Sequence, residues 1–190
     1  MAILGTLLKN RRAGEAKLAW NLPALAGPQT LGLRSGDFVP DGTIPLANAG
    51  RRAGGQNLSP ALSWTGTPED TAQLLLVVED IDAPTSSPFV HCVALIDPGL
   101  DALPAGALNA ERGTPGVQVL RSGMGRGYLG PEPIKGHGVH RYVFQIFALR
   151  TAVTAAGGGA TLDSARPRAV LAGANGPVLA RGRLDGRYAR

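Results

Sequence analysis

The residues of this 190-residue chain whose types and spacing could do chemistry fall in three short stretches. EDIDAP (79–84) places Glu79, Asp80 and Asp82 at the end of an apolar run, with Asp80 and Asp82 two apart and on one face if the strand continues that far. Like charges so close are unfavourable away from water unless cations or donors meet them. FVH (89–91) and GHGVHRY (136–142) supply the partners His91, His140 and Arg141. An unpaired guanidinium at the entrance of a strand core is costly, so Arg141 is expected to bridge Asp80 or Asp82. A carboxylate beside an imidazole raises the imidazole pKa, which suits a cationic histidine that holds an oxyanion.

Other chemistries fit less well. There is no G-x-S-x-G and no serine in a strand-to-helix elbow, so a hydrolase would lack its nucleophile. A zinc site drawn from His91, Cys92, His137 and His140 fails because His91 and Cys92, adjacent on a predicted strand, point to opposite faces; no metal is expected. GRGYLG (125–130) matches G-x-G-x-x-G, but Pro131 and Pro133 forbid the helix that a dinucleotide site needs, and no cofactor is expected. No catalytic residue is assigned. The rival reading is an enzyme that uses the His/Asp pair of the same pocket as general acid and base.

The elements that must position these groups are strands. AQLLLVVED (72–80), FVHCVALI (89–96) and RYVFQIFAL (141–149) are continuous apolar runs of strand length, the pattern of strands buried on both faces. The fourteen residues before Arg141 hold six glycines and prolines, a composition suited to a tight rim that lets backbone approach a ligand, and its N–H groups could meet an anion. Residues 163–176 read as a helix and Val178–Leu184 as a last strand. Residues 21–56 read as loops around short strands such as 30–34 and 37–39, and 97–126 as loop with a short strand near Val117–Leu120. Residues 1–20 predict an amphipathic helix, with Ile3, Leu4, Leu7 and Leu8 at helical spacing. It would pack on the body, pair with a second copy in a homodimer, or make at most peripheral membrane contact.

Composition narrows the setting. The chain has one cysteine, so no intramolecular disulfide, and a net charge of +5. From Arg166 onward there are six arginines against one acid, Asp185, and one aromatic, Tyr188. Single-strand binders need stacking platforms as well as charge, so nucleic-acid binding by this tail is the weaker reading. No window is long and apolar enough for a membrane-spanning helix, and the N-terminal apolar run precedes its basic residues, the reverse of a secretory signal. A cytoplasmic location is the expectation.

Taken in order and spacing, NLSPALSW (57–64), EDIDAP, FVH, GYLGPEP (127–133), GHGVHRYVFQIFAL (136–149) and GPVLARGRLDGRYAR (176–190) resemble the phosphatidylethanolamine-binding proteins, in their bacterial Raf kinase inhibitor-like form. The resemblance covers residues 30–190 and leaves 1–29 as an N-terminal extension. It implies a mainly β fold of two packed antiparallel sheets with a few peripheral helices, one near the C-terminus. It implies a pocket for a small anion or a phospholipid head group, lined by Asp80, Asp82, His91, Tyr128, Gly130, Pro133, His140 and Tyr142, with Pro84 and Arg141 in support. A cis peptide at Ala83–Pro84, a regulatory protein partner and the absence of catalysis follow by the same resemblance. Ile81, Cys92 and Ile134 depart from the family pattern and alter the pocket wall.

Overall fold

A computed structural model describes residues 2–190, apart from the side chains of residues 2–4, so Ile3 and Leu4 of the predicted apolar face lie outside the described residues. The fold is mainly β. Its eight strands are β1 (Arg34–Ser35), β2 (Leu62–Ser63), β3 (Gln73–Asp80), β4 (Phe89–Ile96), β5 (Ala102–Leu103), β6 (Val117–Val119), β7 (His140–Leu149) and β8 (Val178–Tyr188). Among the described residues two α-helices accompany them, α1 (Ala2–Leu7) ahead of β1 and α2 (Pro167–Gly173) between β7 and β8. The strands form a small antiparallel sheet, β1-β2-β5, and a larger one, β6-β4-β3-β7-β8.

Both faces of the central strands are buried, as their unbroken apolar runs require. Leu74, Leu76, Val78, Cys92, Ala94, Phe144 and Ile146 pack towards the small sheet with Leu33, Phe38, Leu62 and Trp64. Leu75, Val77, Val93, Leu95 and Phe147 pack on the other side with Val170 and Leu171 of α2 and with Ala19 and Leu25. The three core strands run within a residue of their predicted spans. The helix predicted over 163–176 shortens to Pro167–Gly173, and β8 runs four residues further than expected.

The N-terminal segment departs most from expectation. Its α-helix stops at Leu7, and further along the chain is held on the body: the N–H groups of Ala13 and Gly14 donate to the Ala83 and Ile81 carbonyls at 2.9 and 2.8 Å. Leu18 is then fully buried against Ile81 and Val143. The Arg181 guanidinium lies 4.0 Å from the centre of the Trp20 ring, a cation–π contact. Strands expected at 30–34 and 37–39 reduce to β1; Phe38 is buried without belonging to a strand.

Candidate ligand pocket

The three core strands finish together at one end of the large sheet. Asp80, the last residue of β3, is paired with Tyr142 of β7 and Phe89 of β4. Between them β4 carries a bulge: Val78 faces Cys92 and Glu79 faces Val90, which leaves His91 as the extra residue. A bulge re-aims a side chain, and it overturns the simple alternation expected of His91 and Cys92. Cys92 joins the core layer that holds Tyr142, and the His91 ring meets that same tyrosine edge-on with centroids 5.1 Å apart. Phe89 braces His91 from the other side at 5.0 Å.

These groups line a cavity of about 360 Å³ with Arg52, Asn57, Pro84, Gly130, Glu132, Pro133, Ile134 and His140. The His91 Nδ1 lies 2.7 Å from the Leu129 carbonyl, which can only accept, so Nδ1 carries a hydrogen. Burial lowers the His91 pKa and outweighs the raising effect of Asp80, so the neutral ring presents an unprotonated Nε2. The raised pKa expected of a histidine beside Asp80 is therefore not found at His91. The Tyr142 hydroxyl is buried and has no hydrogen-bond partner among the described residues, and burial pushes its pKa well above the ordinary phenol value, so it remains an O–H donor.

Asp80 is engaged on both oxygens. Oδ1 accepts the Asp82 N–H at 2.8 Å and Oδ2 lies 2.7 Å from His140 Nδ1. The second nitrogen of His140, Nε2, lies 2.6 Å from Nδ1 of His137. His140 thus lines the pocket as expected but has both ring nitrogens committed inside the protein. His137 was considered only as a metal ligand at the sequence level; its spacing of three from His140 carried no signal that the loop would fold back to join the two rings.

Asp82 does not line the cavity. The chain leaves the strand after Asp80, and Asp82 instead accepts from the Arg141 N–H, Nε and Nη2 at 2.8, 2.9 and 2.9 Å and pairs with Arg12 at 2.8 Å. Burial opposes its ionisation, but the hydrogen bonds from Arg141 and Arg12 prevail and hold its pKa at about 2. Arg141 bridges an aspartate as expected, choosing Asp82. Tyr128 also stays outside the cavity: its hydroxyl donates to the Asn48 carbonyl at 3.1 Å, deep in the core. The Ala83–Pro84 peptide is trans, contrary to the expectation drawn from resemblance.

The rim is fixed by Asn57, a residue that sequence reading passed over. Its backbone adopts a positive φ of 56°, which asparagine tolerates. Its side chain accepts the Gly130 N–H at 2.7 Å and donates to the Tyr128 carbonyl at 3.1 Å. Gly130 is required by proximity, since a Cβ there would overlap the backbone of Asn48 and Gly50. Its N–H is consequently unavailable to an anion. Beyond Phe89 and Thr85 lies a shallower cleft of about 600 Å³ lined by Arg121, Arg166 and Arg168. Arg168 there is committed to buried Glu79. The C-terminal arginines are also largely engaged: Arg181 with Trp20, Arg183 with Glu15 and Asp185, and Arg187 with Asp41.

A mainly β body with a small pocket of histidines, an aspartate and a tyrosine at one end of its large sheet fits a known class of ligand-binding protein. The chain belongs to the phosphatidylethanolamine-binding protein family, whose profile it matches over residues 34–189. It is 37% identical over 138 residues to a UPF0098 protein of Methanothermobacter thermautotrophicus, covering 72% of this chain and 85% of that one. It is 31% identical over 156 residues to phomoidride biosynthesis cluster protein B of a fungal species, with 77% and 74% covered. The crystal structure of Escherichia coli YbcL, described as a member of the mammalian PEBP family, superposes with a TM-score of 0.74 at 26% identity, over 85% of this chain and 99% of that one.

Proposed function

We propose that the pocket takes a small phosphate-bearing group, such as free phosphate or the phosphoethanolamine head of a lipid, and holds it without changing it. The observation that carries this reading is the uncommitted Nε2 of His91 on the cavity wall, next to the ring of Tyr142, whose buried hydroxyl has no hydrogen-bond partner among the described residues. A buried polar group left unsatisfied costs about 1–3 kcal/mol, a penalty that a ligand oxygen in the cavity removes. Tyr142 donates to an oxyanion; neutral His91 accepts from a P–OH or an ammonium, or takes up a proton and donates. One proton shared between ring and ligand serves either way. Arg52 on the same wall adds a cation, and the cavity volume sits at the small end of the range for ligand sites.

The state of His140 speaks against its pairing with Asp80 as general acid and base. A general acid–base pair needs a nitrogen that can meet the substrate's proton, and both nitrogens of His140 already face Asp80 and His137.

Thermal unfolding of the parent and of His91→Ala in rising phosphate or phosphoethanolamine tests the reading. A ligand that binds only the folded state raises stability by about 2.7 kcal/mol at a hundredfold excess over Kd. The parent is expected to show a saturable rise that His91→Ala loses; no rise with either compound contradicts the proposal.

A further inference from the structure

Asp80, His140, His137 and the Leu8 carbonyl form one line of hydrogen bonds. The distances are 2.7 Å from Asp80 Oδ2 to His140 Nδ1, 2.6 Å from His140 Nε2 to His137 Nδ1, and 2.8 Å from His137 Nε2 to Leu8 O. The Arg11 carbonyl lies 3.2 Å from the same His137 Nε2. His137 is fully buried, and His140 and Asp80 nearly so, so water does not complete any of these contacts.

Three hydrogen bonds in a row need three protons. A carbonyl oxygen can only accept, so His137 Nε2 must carry a hydrogen. An ionised aspartate and two neutral imidazoles hold only two protons between them. With two, either both nitrogens at the central contact point lone pairs at each other, or an end of the line is lost. The complete line therefore holds one proton more than its members carry separately, and with it the triad is electrically neutral.

The far end of the line is the N-terminal segment. Besides the Leu8 and Arg11 carbonyls, Arg12 Nη1 donates to the Val139 carbonyl at 3.0 Å. Gly5 sits so close to the loop before His140 that a Cβ would overlap the Lys135 carbonyl and the His137 nitrogen. The segment is thus seated on the loop that carries His137.

We propose that His137 is a positioning residue that couples this segment to the pocket: one proton held along Asp80, His140 and His137 fixes the His140 ring in the pocket wall and pins residues 2–13 by the Leu8 and Arg11 carbonyls. The charged and titratable groups on the elements around the triad are Asp82 beside β3, His91 on β4, Arg141 and Tyr142 on β7, Arg187 and Tyr188 on β8, Lys9, Arg11 and Arg12 on the segment, Glu132 and Lys135 on the rim, and Arg190 at the C-terminus, whose carbonyl accepts the Gly136 N–H. Asp82 pairs with both Arg12 and Arg141 in a separate group of net charge +1, a second tie to the segment that does not involve the triad's proton. The effect on ligand rests on the reading of the pocket given above; the proton and the segment do not.

The test uses the full chain without ligand. Nitrogen and carbon NMR of the labelled imidazoles and carboxyls counts protons on the three side chains, and hydrogen exchange follows the amides of residues 2–13 as pH is raised. Three protons are expected on the triad while the line is intact, with the segment's protection falling in one step as the third is lost. His137→Phe is expected to remove that step and leave the segment unprotected throughout. Gly5→Val displaces the segment without touching an imidazole, and because coupling is reciprocal it must lower the pH at which the third proton leaves. A count of two protons, a step that survives in His137→Phe, or a proton loss unmoved by Gly5→Val overturns the proposal. Adding phosphate afterwards separates the two readings: if the parent ignores it while the count and step stand, only the function of the pocket is wrong.

Discussion

Glu79 and Asp80 are neighbours on β3, both buried, and they face opposite sides of the same sheet. The chain completes one and leaves the surroundings of the other open. Glu79 accepts the Ala19 N–H at 2.8 Å and Gln145 Nε2 at 3.0 Å and is paired with Arg168. Burial raises its pKa, and Arg168, Gln145 and Ala19 only partly offset that rise. Every partner comes from the protein itself. Around Asp80, by contrast, the Tyr142 hydroxyl has no partner and His91 Nε2 faces the cavity unengaged. Trp64, Ser122 and Arg181 also carry a buried polar atom without a hydrogen-bond partner among the described residues, as does Glu79 at Oε1, which meets Arg168 as an ion pair only, but none of these stands in a cavity with two histidines and a carboxylate. A closed polar cluster is architecture; an open one is where a ligand completes the set.

The strongest way to break the contrast is at its closed side. Glu79→Ala leaves the buried Ala19 N–H and Gln145 Nε2 without their acceptor, while Arg168 keeps the Lys17 and Pro88 carbonyls, and a buried donor left unsatisfied costs about 1–3 kcal/mol. Urea unfolding should show that loss, while phosphate affinity, measured where the variant is folded, stays at the parent value.

The Asp82 group gives the next effect. Its pKa of about 2 lies below the ordinary 3.8, so the stability it contributes is complete above the ordinary value and is lost as pH falls through about 2. The loss amounts to about 2 kcal/mol by linkage. Asp82→Asn should lower stability at neutral pH and flatten this acid limb in a pH series of unfolding curves.

His91 sharpens the contrast through opposite trends. Its folded pKa is lowered from 6.5, so as pH falls below that value the unfolded chain takes up a proton before the folded one does, and the stability of the free protein declines. Sulfate, which keeps its charge over this range, should bind more tightly along the same descent, by up to about tenfold per pH unit, because protonated His91 is a donor. Calorimetry against pH checks both trends, and His91→Gln should abolish both.

Much of this was legible in the chain. The three core strands announce themselves because residues buried on both faces must be apolar without alternation, and the pairing of Arg141 with an aspartate follows from the cost of an unpaired guanidinium. The missing parts depend on where the backbone turns. Asp82 left the pocket because β3 ends at Asp80, a boundary that two aspartates at period two do not reveal. The bulge that aims His91 is a property of how β3 and β4 pair, absent from either strand alone. The N-terminal segment has helical spacing, yet most of it lies along the body, where its backbone groups meet Ala83, Ile81, Glu79 and Gln145 across long sequence separations. His137 belongs to the same class, since its partners are a neighbouring loop residue and a segment more than a hundred positions away.

The central claim is that the Asp80 side of the sheet is left open for a ligand, and Tyr142→Phe tests it most directly. Removing an unpartnered hydroxyl should leave the free protein as stable as the parent or slightly more so, while phosphate affinity falls by about 0.5–1.5 kcal/mol, roughly two- to tenfold. Unfolding and phosphate titration on the same two samples would read both. Unchanged affinity, or a loss of stability in the free protein, would contradict the account, because the hydroxyl would then answer to nothing in the pocket or to something inside the protein.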